Sequence, residues 1–251
     1  MNRQAQGVVL LLLGGAVLKA TVFTEIYLRY VKESLLPFLI GAGVMLVIAG
    51  VMTIIYDLRH GSETDTECAE GEDHGHEHAT PHHEPRVGWM LIAPVLGLLL
   101  VAPPALGAFA AGQSGSAVLI EADLYPPLPD GDPAKISVLD YATRAIFDKG
   151  KSMKDGGGGN RKVQISGFLS EGPAGEKVLT RMMLSCCAAD ARPIKIGMAG
   201  QTPAGIANDQ WVEVTGVYTT KTVKDPVNNN DIPFIEVLEW RQIEPPRNQY
   251  E

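Results

Sequence analysis

An apolar run of 23 residues, from Ser34 to Tyr56, constrains the fold of this chain more than any other feature of its sequence. The run contains no charged residue and is followed by Asp57 and Arg59. About 20 consecutive apolar residues are enough for an α-helix to cross the hydrocarbon core of a bilayer. The run therefore predicts a helix that spans a membrane and is surrounded by lipid.

Two weaker apolar runs lie on either side of it. The run from Gly7 to Phe23 contains Lys19, which must reach the membrane interface or face a partner helix, so Lys19 is a candidate functional residue. Because Arg3 precedes this run, a cleaved signal peptide is a competing interpretation. The third run begins at Trp89 and continues to Phe109 without a charge. Three spans predict a multi-pass protein of the cell membrane, with residues 1–111 as its transmembrane region.

Three spans place the two ends of the chain on opposite sides of the membrane. Arg3, Arg59 and Arg86 favour a cytoplasmic N-terminus under the positive-inside rule, whereas Arg29 and Lys32 in the first short loop favour the reverse. We expect the N-terminus to be cytoplasmic and residues 112–251 to be extracytoplasmic.

All six histidines lie between His60 and His83, in an acidic segment that joins the second run to the third. Imidazole is a common metal ligand, and a flexible loop can bring several imidazoles to one ion. Zinc is the first expectation, although nickel, cobalt and copper suit the same ligands. The segment forms the His-rich loop, residues 57–86. The alternative interpretation is a solvated loop that binds no metal. The candidate ligands are His74, His76, His78, His82 and His83.

Charge and motifs exclude several functions. The net charge is −8, and neither half of the chain has the basic excess that nucleic-acid binding requires. No histidine lies outside the region 60–83, so a Ser-His-Asp arrangement cannot be built in the rest of the chain. The glycine run at 155–160 lacks the Lys-Ser/Thr ending of a P-loop. We therefore expect no enzymatic activity.

The second half of the chain predicts a mainly-β domain. Residues 112–160 form a linker that contains a short helix, Ile136–Asp148, with Ser137 as its N-cap. Residues 161–251 hold four recognisable strands, and we expect them to form an OB-like β-domain, a small closed barrel of five strands, although a small β-sandwich is an alternative. The predicted strands are Lys162–Leu169, Val178–Cys187, Gln210–Tyr218 and Pro233–Ile243.

Two of these strands share the pattern Val-x-Ile/Val-Ser/Thr-Gly, at Val163–Gly167 and Val212–Gly216. A glycine repeated inside a strand indicates a bulge or a sharp bend, as expected where strands coil around a small barrel.

A second candidate metal site is the adjacent pair Cys186 and Cys187, followed by Asp190. Adjacent side chains of a regular strand point to opposite faces, so the two sulfurs can share an ion only if the strand ends or bulges there. A disulfide between neighbours is disfavoured, because their Cα atoms are only about 3.8 Å apart. Three interpretations stay open: a soft-metal or thiol-reactive site, redox chemistry, or one buried and one exposed cysteine without function.

Several motifs together resemble the bacterial permease-subunit family of YcgQ type. They are the three apolar runs with their His-rich loop, Val-x-Ile-Ser-Gly-Phe, Leu-Ser-Cys-Cys-Ala-Ala-Asp-Ala, Trp-Val-Glu-Val-Thr-Gly, and the closing Ile-Glu-Pro-Pro-Arg-Asn-Gln-Tyr. The resemblance covers nearly the whole chain. It implies a membrane subunit of a two-component transporter that works beside a separate multi-span permease.

These observations predict a membrane accessory subunit of a two-component permease, with a divalent metal such as zinc as its cargo. The alternative is a membrane-tethered binding or assembly module with no transport role. In that case Trp211, Tyr218 and Trp240 could line a ligand face of the barrel, although aromatic residues in strands usually pack in the core.

Overall fold

The structure is a computed structural model that describes residues 3–60 and 104–251, and these residues form two compact units. The first unit contains the N-terminal helices. The second consists of Pro104–Glu251 together with a short segment from between those helices, Leu28–Glu33. The His-rich loop and most of the third apolar run lie outside the described residues.

The first unit is built from two apolar helices. Helix α1 is Arg3–Leu18, continued by a π-helical turn at Lys19–Phe23, and helix α2 is Leu36–His60. Within the described residues, two stretches are long and apolar enough to cross a membrane: Gln6–Phe23 and Glu33–Arg59, with mean hydropathies of 1.8 and 2.6. These match the first and second predicted spans.

Four buried glycines bring α1 and α2 into close contact. A Cβ atom added at Gly14 would lie 2.9 Å from the carbonyl oxygen of Gly43, and one at Gly50 would lie 2.9 Å from the carbonyl oxygen of Gly7. Each pair, 7 with 14 and 43 with 50, is spaced by seven residues, so its members lie on one face of their helix. Small residues at such positions are typical of helices that pack inside a bilayer.

The second unit contains a closed five-stranded barrel. Its strands are β2 (Val163–Glu171), β3 (Lys177–Met183), β4 (Arg192–Gly200), β5 (Trp211–Lys224) and β6 (Asp231–Gln242), and a short strand β1 (Ala134–Lys135) extends the sheet. The barrel strands pair in the order β2-β3-β4-β6-β5, and β5 returns to β2. Closure and strand number agree with the small OB-like barrel that the sequence predicts.

Helix α3 (Ala108–Gln113) packs against a cluster that includes Phe168 and Trp211, the second core cluster. Helix α4 (Val138–Ile146) packs against the main core, the cluster of buried apolar residues that includes Ile165, Ile196 and Val214. The predicted N-cap of α4 is confirmed, because the Ser137 hydroxyl accepts a hydrogen bond of 3.0 Å from the Asp140 amide. Burial of alternate apolar residues inside a closed barrel is the main source of its stability.

The two copies of the repeated strand pattern pair with each other. Val163 lies opposite Gly216, and Gly167 lies opposite Val212. A register shift at Thr215/Gly216 confirms the predicted bulge, and a side chain at Gly216 would collide with the carbonyl oxygen of Glu236. Gly167 lies close to the point where the pairing of β2 with β5 ends and its pairing with β3 begins. A Cβ atom at Gly167 would lie 2.6 Å from the carbonyl oxygen of Thr180.

Three strand predictions need correction. The predicted strand Gln210–Tyr218 is too short, because β5 continues to Lys224. The predicted strand Val178–Cys187 is too long, because β3 ends at Met183. Strand β4 was not predicted, since Pro193 and two glycines interrupt its apolar pattern. Pro193 is tolerated because β4 pairs with β6 only from Gly197 onward. On that unpaired side, the Pro193 carbonyl accepts a hydrogen bond of 2.7 Å from the Ala117 amide.

The segment before α4 is held against the barrel by hydrogen bonds from Ser116 to Asp225, and the Asp225 carboxylate also forms a buried ion pair. The Lys195 ammonium lies 3.0 Å from the Asp225 carboxylate, and the two side chains are 6% and 0% exposed. Burial raises the pKa of Asp225, but hydrogen bonds from Ser116, Val227 and Lys195 outweigh it, so its pKa is below the usual value. The charge is stabilised by groups on three separate parts of the chain.

Candidate functional site: the Cys-Cys loop

The Cys-Cys loop, Leu184–Ala191, follows β3 directly. Leu184 is 2% exposed and anchors the start of the loop in the second core cluster. Ala188–Asp190 form a 3-10 turn, and the amide of Asp190 donates a hydrogen bond of 3.1 Å to the carbonyl of Cys187. Because the strand has ended, the two cysteines are released from the strand alternation that would point their side chains apart.

The Asp190 carboxylate fixes the shape of this loop. Its two oxygens accept hydrogen bonds from the backbone amides of Ser185, at 3.1 Å, and Cys186, at 2.8 Å. A carboxylate that bonds amides four and five residues before it closes the backbone into a ring. The loop therefore has a defined conformation although Cys186 is exposed.

The two sulfur atoms lie 3.6 Å apart, and both thiols are free. Together with an oxygen of Asp190 they form a group of possible metal ligands whose atoms all lie within 4.8 Å of one another. Cys186 is exposed and Cys187 is half-buried. The structure thus brings together Cys186, Cys187 and Asp190, the three residues of the second predicted site.

The environment of Cys186 favours a protonated thiol. Its hydrogen bonds with Asp190 and Cys187, and the nearby negative charge, raise the pKa of Cys186 to about 11. The hydrogen bond from the Cys186 thiol and those from backbone amides of the loop lower the pKa of Asp190, which is therefore ionised at neutral pH. A thiol in this state is a weak nucleophile, because the thiolate is the reactive form. A metal cation that replaces the proton on the Cys186 sulfur would be attracted by the negative charge of the Asp190 carboxylate.

A segment from the N-terminal part of the chain pairs with the loop. This docking segment, Leu28–Glu33, runs antiparallel to it and places Val31 opposite Cys187. The Lys32 amide donates a hydrogen bond of 3.1 Å to the carbonyl of Cys186, and the Ala188 amide donates one of 2.7 Å to the carbonyl of Tyr30. The peptide groups on both sides of Cys187 are thereby held.

Tyr250 holds the docking segment from the other side. Its hydroxyl donates a hydrogen bond of 2.8 Å to the carbonyl of Arg29 and accepts one of 3.1 Å from the amide of Leu106. Tyr250 also lies opposite Met182, so the segment that contains it runs beside the end of β3. Three distant parts of the sequence therefore meet at one side chain.

The other predicted site residues lie elsewhere. His74, His76, His78, His82 and His83 are outside the described residues, so their role as metal ligands stays a prediction. Lys19 is exposed at the start of the π-helical turn in the first unit. Trp211 is buried against Phe168, with ring centroids 5.9 Å apart, and Tyr218 and Trp240 pack against the main core.

Sequence reasoning missed the docking segment and Tyr250. Tyr30 and Val31 carry a signal that could have been used, because aromatic and β-branched residues in a short loop between helices have strand propensity. The closing motif around Tyr250 supported only the family resemblance, since no sequence pattern shows which backbone a tyrosine hydroxyl will bind.

Residues 159–251, which contain the barrel and the Cys-Cys loop, match a family model described as the DUF1980 C-terminal domain. The match is compatible with a permease-associated protein. No curated protein matches the chain, and no solved structure matches it.

Proposed function

We propose that the chain is a membrane-anchored accessory subunit that works beside a multi-span permease and binds a thiophilic divalent metal ion at the Cys-Cys loop. Two apolar helices supply the membrane anchor, and the glycine contacts between them suit a helical hairpin in lipid. The match of residues 159–251 to the DUF1980 C-terminal domain is compatible with such a subunit. Zinc is the first expectation for the cargo.

The observation that carries the proposal is the group of three possible ligand atoms within 4.8 Å. Thiolate and carboxylate are both ligands of zinc in proteins. The group lies on an ordered loop, because Asp190 and the docking segment hold its backbone. An ordered loop reduces the conformational entropy that metal binding would otherwise cost.

The raised pKa of Cys186 supports metal binding over covalent catalysis. A nucleophilic cysteine needs a lowered pKa, whereas this thiol keeps its proton at neutral pH. Metal binding must release that proton, so we expect the affinity to increase as the pH rises toward 11. The His-rich loop, with its acidic neighbours, would act as a separate collector of the same ion.

Cadmium binding to the full chain in lipid nanodiscs tests the proposal. The wild type should show the ultraviolet charge-transfer absorption of cadmium bound to thiolate. In a Cys68→Ser background, which removes the third cysteine, Cys186→Ser/Cys187→Ser should lose it, whereas Cys68→Ser alone should keep it. Absorption that survives in the double variant, or that is absent from the wild type, would contradict the metal site.

Zinc uptake by cells tests the role in transport. Strains that lack the chain, or that carry the double cysteine variant, should accumulate less zinc than the wild type when the permease is present. Equal uptake in all strains would favour the alternative, a membrane-tethered assembly module.

A further inference from the structure

We infer that the Cys-Cys loop is a transfer site for a tetrahedral divalent cation such as Zn²⁺, held by two thiolates and completed by ligands from another molecule. The inference rests on the proposed function and specifies how the site handles its ion. It follows from the sulfur geometry, the state of Asp190 and the side chain that faces Cys187.

The distance between the two sulfurs suits tetrahedral coordination better than linear coordination. With Zn–S bonds of about 2.3 Å, adjacent corners of a tetrahedron place two sulfurs about 3.8 Å apart. The observed separation of 3.6 Å is close to that value. A linear two-coordinate ion would require the sulfurs to lie about twice the bond length apart, roughly 4.6 Å, so the loop would have to open.

Asp190 is already engaged by the loop itself. Each of its oxygens accepts a backbone amide, so coordination of an ion must share or replace one of these bonds. Its charge still favours a cation near the sulfurs. The domain thus supplies two strong ligands and, at most, a weaker third.

The docking segment does not supply the missing ligand. The hydrogen bonds from Lys32 to Cys186 and from Ala188 to Tyr30 flank the pair formed by Val31 and Cys187, which makes it a non-hydrogen-bonded pair. Side chains of such a pair lie close together on one face, with Cβ atoms about 4.5–5.5 Å apart. The side chain next to Cys187 is therefore a valine, which has no donor atom.

An incomplete and exposed site suits exchange of the ion. Structural zinc sites are closed by four protein ligands, whereas this group contains three candidates among the described residues, one of them exposed. On binding, Zn²⁺ forms two Zn–S bonds and two thiol protons are released. On transfer, deprotonated ligands of the acceptor replace the thiolates one at a time, and each thiol takes back a proton.

The test adds a ligand at position 31. Every protein in this test is the full-length chain in nanodiscs with its five candidate loop ligands, His74, His76, His78, His82 and His83, changed to alanine, so that the His-rich loop does not contribute to zinc binding. With the wild-type sequence at position 31 and at the Cys-Cys loop, bound Zn²⁺ should show two sulfur neighbours by X-ray absorption and the remainder oxygen or nitrogen. Val31→His should raise the zinc affinity by about tenfold and slow release to a chelator, because its imidazole adds a ligand beside Cys187. Lys32→His is the matched control, since adjacent residues of an extended segment point to opposite faces.

A second variant is needed in case the histidine side chain at position 31 does not fit beside Cys187. Val31→Cys should increase the sulfur count from two to three and slow release in the same way. Unchanged affinity and release in both variants, or four protein ligands in the protein that keeps Val31, would overturn the transfer site while leaving the metal site intact. If the protein that keeps Val31 binds no Zn²⁺, the proposed function itself is overturned.

Discussion

At the scale of single residues, Asp190 determines the chemistry of the Cys-Cys loop. Its carboxylate shapes the backbone through two amides, and it keeps the Cys186 proton in place. These two effects oppose each other when a metal binds, because the loop is prepared for the ion while the thiol resists deprotonation. The balance makes affinity depend on pH in the range where Cys186 titrates.

Asp190→Asn should make Cys186 more reactive. The hydrogen bond to Asp190 is the largest cause of the raised pKa of Cys186 and the Asp190 charge is a smaller one, so their removal lowers the pKa and increases the thiolate fraction at pH 8. We expect alkylation by iodoacetamide to accelerate by about tenfold, which is less than the change in thiolate fraction because nucleophilicity falls with pKa. The rate is measured against pH in a Cys68→Ser/Cys187→Ser background.

A matched control is available in the glycine-rich turn. Asp155 also accepts two backbone amides, those of Gly157 and Gly159, but is not among the causes of the raised pKa of Cys186. Asp155→Asn should leave the alkylation rate unchanged. If both variants behave alike, the raised pKa does not come from Asp190.

At the scale of elements, the contact between α1 and α2 depends on which glycine faces the partner helix. Gly14 is buried, and a Cβ atom there would lie 2.8 Å from a Val47 methyl group. A Cβ atom added at the adjacent Gly15 would have no atom of the described residues within 4 Å. The two positions share the same helix and the same helix propensity, so they differ only in packing.

Gly14→Leu should destabilise the hairpin by about 1–3 kcal/mol, the usual cost of overpacking, whereas Gly15→Leu should be nearly neutral. The unfolding midpoint of the micelle-solubilised full chain in an SDS titration measures the difference. Equal midpoints for the two variants would show that α1 and α2 do not pack through Gly14.

The strands illustrate what the sequence predicts and what it leaves open. Alternating apolar residues and the repeated glycine pattern were enough to predict β2, β5, β6 and the bulge at Gly216, because these signals are local. Strand β4 was not predicted, because Pro193 and two glycines interrupt its apolar pattern, and the hydrogen bond from the Ala117 amide to the Pro193 carbonyl is a long-range contact. The grouping of Cys186, Cys187 and Asp190 could be proposed from spacing. The strand propensity of Val31 is a local signal, but it does not show which distant segment Val31 will pair with.

At the scale of the whole molecule, the docking segment restricts the topology. It precedes α2 in sequence but belongs to the same compact unit as Pro104–Glu251. If α2 crosses the membrane, the chain must cross back between residues 61 and 103 to reach that unit. The part of the third apolar run that precedes Pro104 is the apolar sequence available for this return.

Labelling of intact cells with an impermeant thiol reagent tests this arrangement in single-cysteine variants. Cys186 and a cysteine introduced by Glu33→Cys should lie on the same side, which we expect to be extracytoplasmic, and Cys68 should be protected. Labelling of Cys68 together with Cys186 would show that α2 does not cross. Opposite results for Cys186 and Glu33→Cys would show that the docking segment is not bound to the loop.

The hydrogen bond between Tyr250 and Arg29 also has a consequence for biogenesis, because its partners are 221 positions apart. At translation rates of about 5–20 residues per second, Tyr250 leaves the ribosome roughly 10–40 s after Arg29. Throughout that interval Tyr30 and Lys32 present strand-forming groups whose partners in the Cys-Cys loop do not yet exist or have not yet folded. The docking segment is therefore fully held only after Tyr250, which is made 221 positions later, has been synthesised and has folded against it.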